Sequence, residues 1–304
     1  SQDSVLGNIT GNISAKGKGF DYKTMIADVN ANIESIEYNK YRFKNLNLNG
    51  KFDNGIIKTN GIIKDEALTT DFDFDIDAKG ERPTVKGYLK MDTLQLKKLN
   101  LYDSTLNLSF IARIDARDLK SRQLNARAII DSMHIQLGQE FYSLDSVSFI
   151  ANSANGIDSI RFYSPFAKAF AYGAFDYDQV GTSLINYIDR YYDITANKDS
   201  ISTRPQELHF DASVSPHPIV KALVPGLKSY EEIKLNGSYA SASTDSSLRF
   251  NLSMPQLDYN NYHVGNANIA VNGLTDQINY LLTVDTLAVS ANRLYGTRLS
   301  GNLA

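Results

Sequence analysis

Alternation of apolar and polar residues constrains this chain more than any other feature. In "TLNLSFIARID", Leu106, Leu108, Phe110, Ala112 and Ile114 fall on one side of an extended backbone, and Asn107, Ser109, Arg113 and Asp115 on the other. Successive side chains of a strand point to opposite faces, so this is a strand pattern. The same period runs through "ELHFDASVS" (Leu208, Phe210, Ala212, Val214), "SLRFNLSMP" (Leu248, Phe250, Leu252, Met254) and "NANIAVNG" (Ala267, Ile269, Val271). Roughly 18 such segments follow one another, separated by turn formers such as "FDNG", "AKGERP", "SANG" and "NNYHVG". The expected fold is all-β: antiparallel or mixed sheet with one apolar and one hydrated face.

Two places break the period. "VGTSLINYIDRYYDI" offers Thr182 or Ser183 as N-cap, then Leu184, Ile185, Ile188, Tyr191 and Tyr192 at helical spacing, which predicts an amphipathic helix near 182–193. "PHPIVKALVPGLKSYEEI" predicts a short helix near 217–224 carrying Ile219, Val220 and Leu223, halted at Pro225-Gly226, with a second helical turn through Leu227 and Tyr230. Both lie in a segment, 166–232, that separates strand-rich segments 1–165 and 233–304. A loose repeat is also visible: "YNKYRFKNLNLNG" from Tyr38 matches "LDYNNYHVGNANIAVNG" from Leu257, and "LGQEFYSLDSVSF" from Leu137 more weakly. Its physical reading is a hairpin turning at Asn39-Lys40 or Asn260-Asn261, with aromatics across the turn.

At 304 residues the chain is long enough for one large or two ordinary domains. Its 31 Lys+Arg against 34 Asp+Glu include no basic block able to neutralise a run of phosphates, so nucleic acid is not an expected partner. With no cysteine, disulfides, thiolate nucleophiles and Cys-ligated metals are excluded. No stretch reaches the roughly 18 apolar residues of a membrane-spanning helix, and "SQDSVLGNIT" lacks a basic-then-apolar signal segment. The start and the strand pattern of the final "RLYGTRLSGNLA" are those expected of a trimmed or mature fragment cut from a longer repetitive protein.

"TTDFDFDIDAKG" is the nearest approach to a chemical motif, with Asp71, Asp73, Asp75 and Asp77 interleaved with Phe72, Phe74 and Ile76. A calcium loop needs Gly at position six and Glu at twelve. From Asp71 those positions hold Ile76 and Arg82, and from Asp73 they hold Ala78 and Thr84. The acids therefore read as the hydrated side of a strand, and no metal site or cofactor is expected. His134, His209, His217 and His263 lack the spacing of zinc ligands, and His217 between two prolines suggests a helix start. There is no nucleophile elbow, Walker loop or dinucleotide fingerprint, and "KGKGF" reads as a turn. A Ser-His-Asp triad need not be contiguous, so scattered serines leave that possibility open. Asp-Ser/Thr-apolar triplets recur at Asp3, Asp92, Asp131, Asp145, Asp158, Asp199 and Asp285. They read as strand starts after turns. They also resemble the O-glycosylation acceptor of exported Bacteroidota proteins, which would imply an extracytoplasmic chain.

Apolar rows such as Phe72, Phe74 and Ile76 must be covered, since full burial is worth roughly 1.5–3 kcal/mol per side chain. A facing sheet in a β-sandwich pair is one solution, and an elongated curled sheet whose apolar side holds acyl chains is the other. Periodicity leaves both open.

"VKGYLKMDTLQLKKLNLYDSTLNLSFIARID", "FKNLNLNGKFDNGIIKTNG" and "KALVPGLKSYEEIKLNGSYAS" resemble the TamB and AsmA-like proteins of the bacterial envelope. The resemblance extends over nearly the whole chain as texture, with no catalytic motif. It implies a non-enzymatic periplasmic segment of an inner-membrane-anchored protein, the anchor lying outside this sequence. It also implies a β-groove conducting phospholipid or another acyl-chain lipid between inner and outer membranes, in support of outer-membrane assembly. An outer-membrane barrel of the TamA or BamA type would be the partner. Under this reading Phe72, Phe74, Ile76, Leu106, Leu108, Phe110, Ile114, Phe250 and Leu252 line the groove. About 18 strands at 4.7–4.9 Å spacing would give a groove on the order of 85 Å long. The competing expectations are a structural or adhesive β-sandwich without lipid, and an envelope hydrolase or glycan-binding module, which 18 Tyr and 14 Phe alone support.

Overall fold

The computed structural model describes residues 6–120, 123–191, 204–243, 247–274 and 276–303. Among them lie 18 strands and two short helices. The chain forms two compact units, Ser1–Lys120 with Leu124–Ile150, and Ser121–Gln123 with Ala151–Ala304. The segments 1–165, 166–232 and 233–304 rest on element type, whereas these units rest on contacts.

The first unit is a meander. Strands β1 (Leu6–Lys18), β2 (Ile26–Tyr38), β3 (Tyr41–Asp53), β4 (Ile56–Lys64), β5 (Leu68–Asp77), β6 (Thr84–Gln95) and β7 (Leu106–Lys120) each pair antiparallel with the next. β8 (Gln123–Leu137) and β9 (Glu140–Ala154) continue the sheet. Tight turns make this possible: Asn54 and Gly55 of "FDNG" take φ of 48° and 86°, the left-handed pair that two-residue hairpins require.

The second unit holds β10 (Ile157–Tyr163), β11 (Ala167–Gly173), α1 (Val180–Ile188), β12 (Glu207–Val214), α2 (Pro218–Leu223), β13 (Leu227–Tyr230), β14 (Ile233–Ala240), β15 (Leu248–Tyr259), β16 (Tyr262–Gly273), β17 (Ile278–Val289) and β18 (Asn292–Leu303). Its ladder runs β10, β11, β12, β14, β15, β16, β17, β18, antiparallel throughout, with β13 beside the far end of β15. Among the described residues β1 pairs with β2 and β18 with β17, and the strands form an open sheet that does not close into a barrel.

The hairpin repeat is real at the level of backbone. Asn39 and Asn260 turn at φ of 49° and 50°, and Tyr38 pairs with Tyr41 as Tyr259 pairs with Tyr262. Asn45 and Asn266, four residues beyond the second tyrosine, are again left-handed at 55° and 48°. In β3 this resets the alternation: Lys44 and Asn45 are both exposed, which returns Tyr41 and Phe43 to the half-buried side with Leu46. Buried Asp65 supports the reset by accepting the Lys44 amide at 3.0 Å, the Ala67 amide at 2.8 Å and the Tyr41 hydroxyl at 2.5 Å. Desolvation, then the bond to Asp65, pushes the Tyr41 phenol up to about 12.

The helices depart from expectation in detail. α1 starts after Gln179 rather than at Thr182 or Ser183, because amides 179 and 180 already close on the Asp176 carbonyl. Ser183 lies inside the helix with its hydroxyl 2.8 Å from that of Tyr239. Tyr191 falls beyond the helical residues, while Tyr192 and the predicted end at 193 lie outside the described residues. α2 is capped by His217, whose Nδ1 accepts the Ile219 amide at 3.2 Å. Leu227 to Tyr230 is not a second helical turn; it is β13, drawn into extended form by pairing with Leu257 to Tyr259. The triplets are mostly not strand starts. Asp92, Asp131, Asp145 and Asp285 sit inside β6, β8, β9 and β17, and only Asp158 lies near a strand's beginning. Several mark irregularities: Asp92-Thr93 falls in a register shift, and Ser132 has φ of 52°. Asp3 and Asp199 lie outside the described residues.

Candidate functional site: the apolar sheet faces

Directly opposed residues of an antiparallel pair share a face, so the registers assemble the apolar side row by row. In the first unit one row runs Phe52, Ile57, Ile76, Val85, Ala116, and another Leu48, Gly61, Phe72, Leu89, Ala112. Between them, Gly50, Thr59, Phe74, Gly87 and Ile114 are aligned. Ile33, Leu46, Ile63, Thr70, Met91 and Phe110 form the row beyond. Leu108 continues the face opposite Leu94, and Leu106 follows by alternation. The seven lining residues expected in this unit thus come to one face.

Two glycines shape it. A Cβ on Gly61 would stand 2.7 Å from Phe72 Cζ, and one on Gly87 would stand 2.5 Å from Phe74 Cδ1. Each ring lies over a neighbouring strand's bare backbone, which keeps the face low and lets the two rings approach to 6.0 Å between centroids. This device, and the contribution of Leu46, Leu48, Phe52, Ile63, Leu89 and Met91, was missing from the expected lining. Alternation in "FKNLNLNGKFD" carries the signal for the first three.

Among the described residues of this unit no second sheet covers these rows. Phe72, Phe74, Ile76, Leu106, Leu108, Phe110 and Ile114 are half-buried, where an inner sandwich face would bury them fully. Within each strand, polar positions are the more exposed, as in a sheet curled toward its apolar side. The fold is therefore an open sheet of the curled-groove kind rather than a sandwich pair.

The opposite face explains the aspartates. Asp71, Asp73 and Asp75 face Lys90, Tyr88 and Lys86 across the β5–β6 ladder, and Lys58 on the other side lies 3.3 Å from Asp75. Tyr88 donates to Asp71 at 3.1 Å, a bond that raises its phenol pKa above the ordinary value. This cross-strand charge pattern opposes a one-residue slip, which would move the phenylalanines to water. Among the described residues no three His, Cys, Asp or Glu side chains gather as a metal site.

In the second unit Phe250 lies between Gly237 and Val271, and Leu252 between Leu235 and Ile269. Here one end of the face is sealed. α1 lays Tyr187 onto Tyr239, Leu248 and Ile278, all buried, with Leu184, Ile188, Tyr191 and Val271 around them. Tyr187 donates to the Leu274 carbonyl at 2.9 Å, and desolvation, then proximity to Tyr191, pushes its phenol up to about 12. Gly273 makes room for that ring, since a Cβ there would stand 2.2 Å from the Tyr187 hydroxyl.

One Ser-Asp-His grouping does occur. Asp258 accepts from Ser229, from Gln256 Nε2 at 2.8 Å, and lies 2.6 Å from His263 Nδ1. The serine hydroxyl is bonded to the carboxylate, not to the imidazole, so the grouping lacks the proton path that activates a nucleophile. The hydroxyl bond of Ser229, then His263 and Gln256, hold the Asp258 carboxyl down to about 2. It ties β13 to the β15–β16 hairpin. Among the described residues no helix is long and apolar enough to cross a membrane. Comparison with family models, curated proteins and solved structures finds no match to this chain.

Proposed function

We propose that the chain is a non-enzymatic segment that shields acyl chains on its apolar sheet faces. The carrying observation is a continuous apolar face from β2 to β7 of the first unit, half-buried and without a second sheet over it among that unit's described residues. Such a face has to be covered in water, and an acyl chain, flexible and nonpolar, suits a low surface of half-buried Phe, Ile and Leu. With the textural resemblance to TamB and AsmA-like proteins, this reading puts the segment in the periplasm, within a protein anchored in the inner membrane. There it would pass phospholipid toward the outer membrane beside a barrel partner of the TamA or BamA type.

Photo-crosslinking residues at Phe74, Phe110 and Phe250 test this in the full-length protein in cells. Lipid adducts are expected at all three, and not at Asp73 on the opposite face. Adducts confined to Asp73, or none at any position, would overturn the reading.

A further inference from the structure

The first unit carries a second concave feature, and it lies on the hydrated face. A cavity of about 630 Å³ opens over β6, β7 and β8, within the size range of small-molecule sites. Lys86, Tyr88 and Lys90 line it from β6, at the alternate positions that face the aspartates of β5. Their cross-strand partners Asp115, Arg113 and Ile111 line it from β7. Arg127 and Ile129 line it from β8, and Gly87 and Ile114 border it from β6 and β7.

Four cations against one lining carboxylate is a strong local bias in a chain with formal net charge −3. The bias is not fully cancelled nearby. Arg113 is paired with Asp131 and Lys90 with Asp92, and Asp115 itself is held by Arg117. Lys86 and Arg127 make no ion pair among the described residues, and both are exposed. The walls between the charges are carbon: half-buried Ile111 and Ile129, the Tyr88 ring, and lysine and arginine stems. A hydrophilic ion alone would leave these walls wet, and a neutral apolar molecule would leave the cations without a counter-charge.

We infer that this cavity binds an anionic amphiphile, its apolar body against Ile111, Ile129 and Tyr88 and its head between Lys86 and Arg127. Its charged groups lie on the face opposite the apolar rows, although Gly87 and Ile114 of one such row also border it, and the inference does not depend on the function proposed for the apolar face. Arginine suits the head because its planar fork can meet a carboxylate or phosphate through two hydrogen bonds.

The test uses the whole chain with isoleucine methyl groups labelled for NMR, and dodecyl phosphate kept below its micelle concentration. The methyl signals of Ile111 and Ile129 should shift with saturation at one molecule, read separately from any shift at Ile57 and Ile76 on the apolar face. Lys86→Glu with Arg127→Glu should weaken binding by roughly tenfold or more, and added salt should weaken it as well. Equal shifts of Ile111 and Ile129 with inorganic phosphate alone, equal shifts there with neutral dodecyl maltoside, or full affinity at these two signals in the charge-reversed variant would each overturn the inference.

Discussion

The two units share one strand design, and the difference that matters most for their apolar faces is the nine-residue helix α1. In the first, Phe72, Phe74 and Ile114 stay half-buried on a face without a second layer. In the second, α1 turns the end of an equivalent face into a core, with Tyr187 and Tyr239 only 3% and 2% exposed. The same alternating strands thus serve as open surface or as core, depending on whether another element lies over them. Stability should concentrate where the helix sits, and ligand access where it does not.

The sharpest way to break this comparison is truncation of a ring on each side. Tyr187→Ala should destabilise the second unit by about 3–5 kcal/mol, as for a buried aromatic that also loses a hydrogen bond. Phe74→Ala should cost the first unit only about 1 kcal/mol, because its ring is half in water already. Denaturant unfolding followed separately in each unit measures both. Comparable losses would mean that the first face is covered after all.

A smaller contrast comes from glycines under rings. Gly273→Ala must push against Tyr187, which is held by the helix and by the Leu274 carbonyl. About 1–3 kcal/mol is expected, as for overpacking. Gly61→Ala meets the tips of Phe72 and Leu48, which can swing outward from an uncovered face, so the loss should stay below about 1 kcal/mol. Thermal melts of the two variants decide it.

Acid gives the third and smallest difference. The Asp258 pKa of about 2 lies below the ordinary 3.8. Its stabilisation is therefore complete above the unfolded value and is lost as pH falls from about 4 toward 2. With the carboxylate partly exposed, an effect on the order of 1–2 kcal/mol is expected, confined to the second unit and absent in Asp258→Asn. An acid transition unchanged by that substitution would remove Asp258 from the account.

Much of this was legible because a period of two is dictated by strand geometry, not by context. Phe72, Phe74, Ile76, Leu106, Leu108, Phe110 and Ile114 could be assigned to one side from alternation alone, and the registers place all but Leu106 there. The left-handed turns were legible in "FDNG" and "SANG", where asparagine and glycine tolerate positive φ. Rows built across strands were not, because pairing register is a long-range property. Hence Gly61 beneath Phe72, or Lys86 opposite Asp75, has no local signature. Local propensity also failed at Leu227 to Tyr230, where a free edge of β15 outweighed helical spacing. The cavity over Ile111 was hidden for the same reason: its cations come from three strands, and each alone reads as an ordinary solvated residue.

Whether the uncovered face takes an acyl chain can be measured on the isolated chain with isoleucine methyl labelling and a spin-labelled methyl stearate, whose uncharged head gives it no reason to seek the cationic cavity. The account predicts paramagnetic broadening of Ile57, Ile63, Ile76 and Ile114, with little effect on Ile278 under α1 or on Ile56 and Ile62 of the hydrated face. Broadening of Ile56 and Ile62 equal to that of Ile57 and Ile76, or none at all, would contradict it.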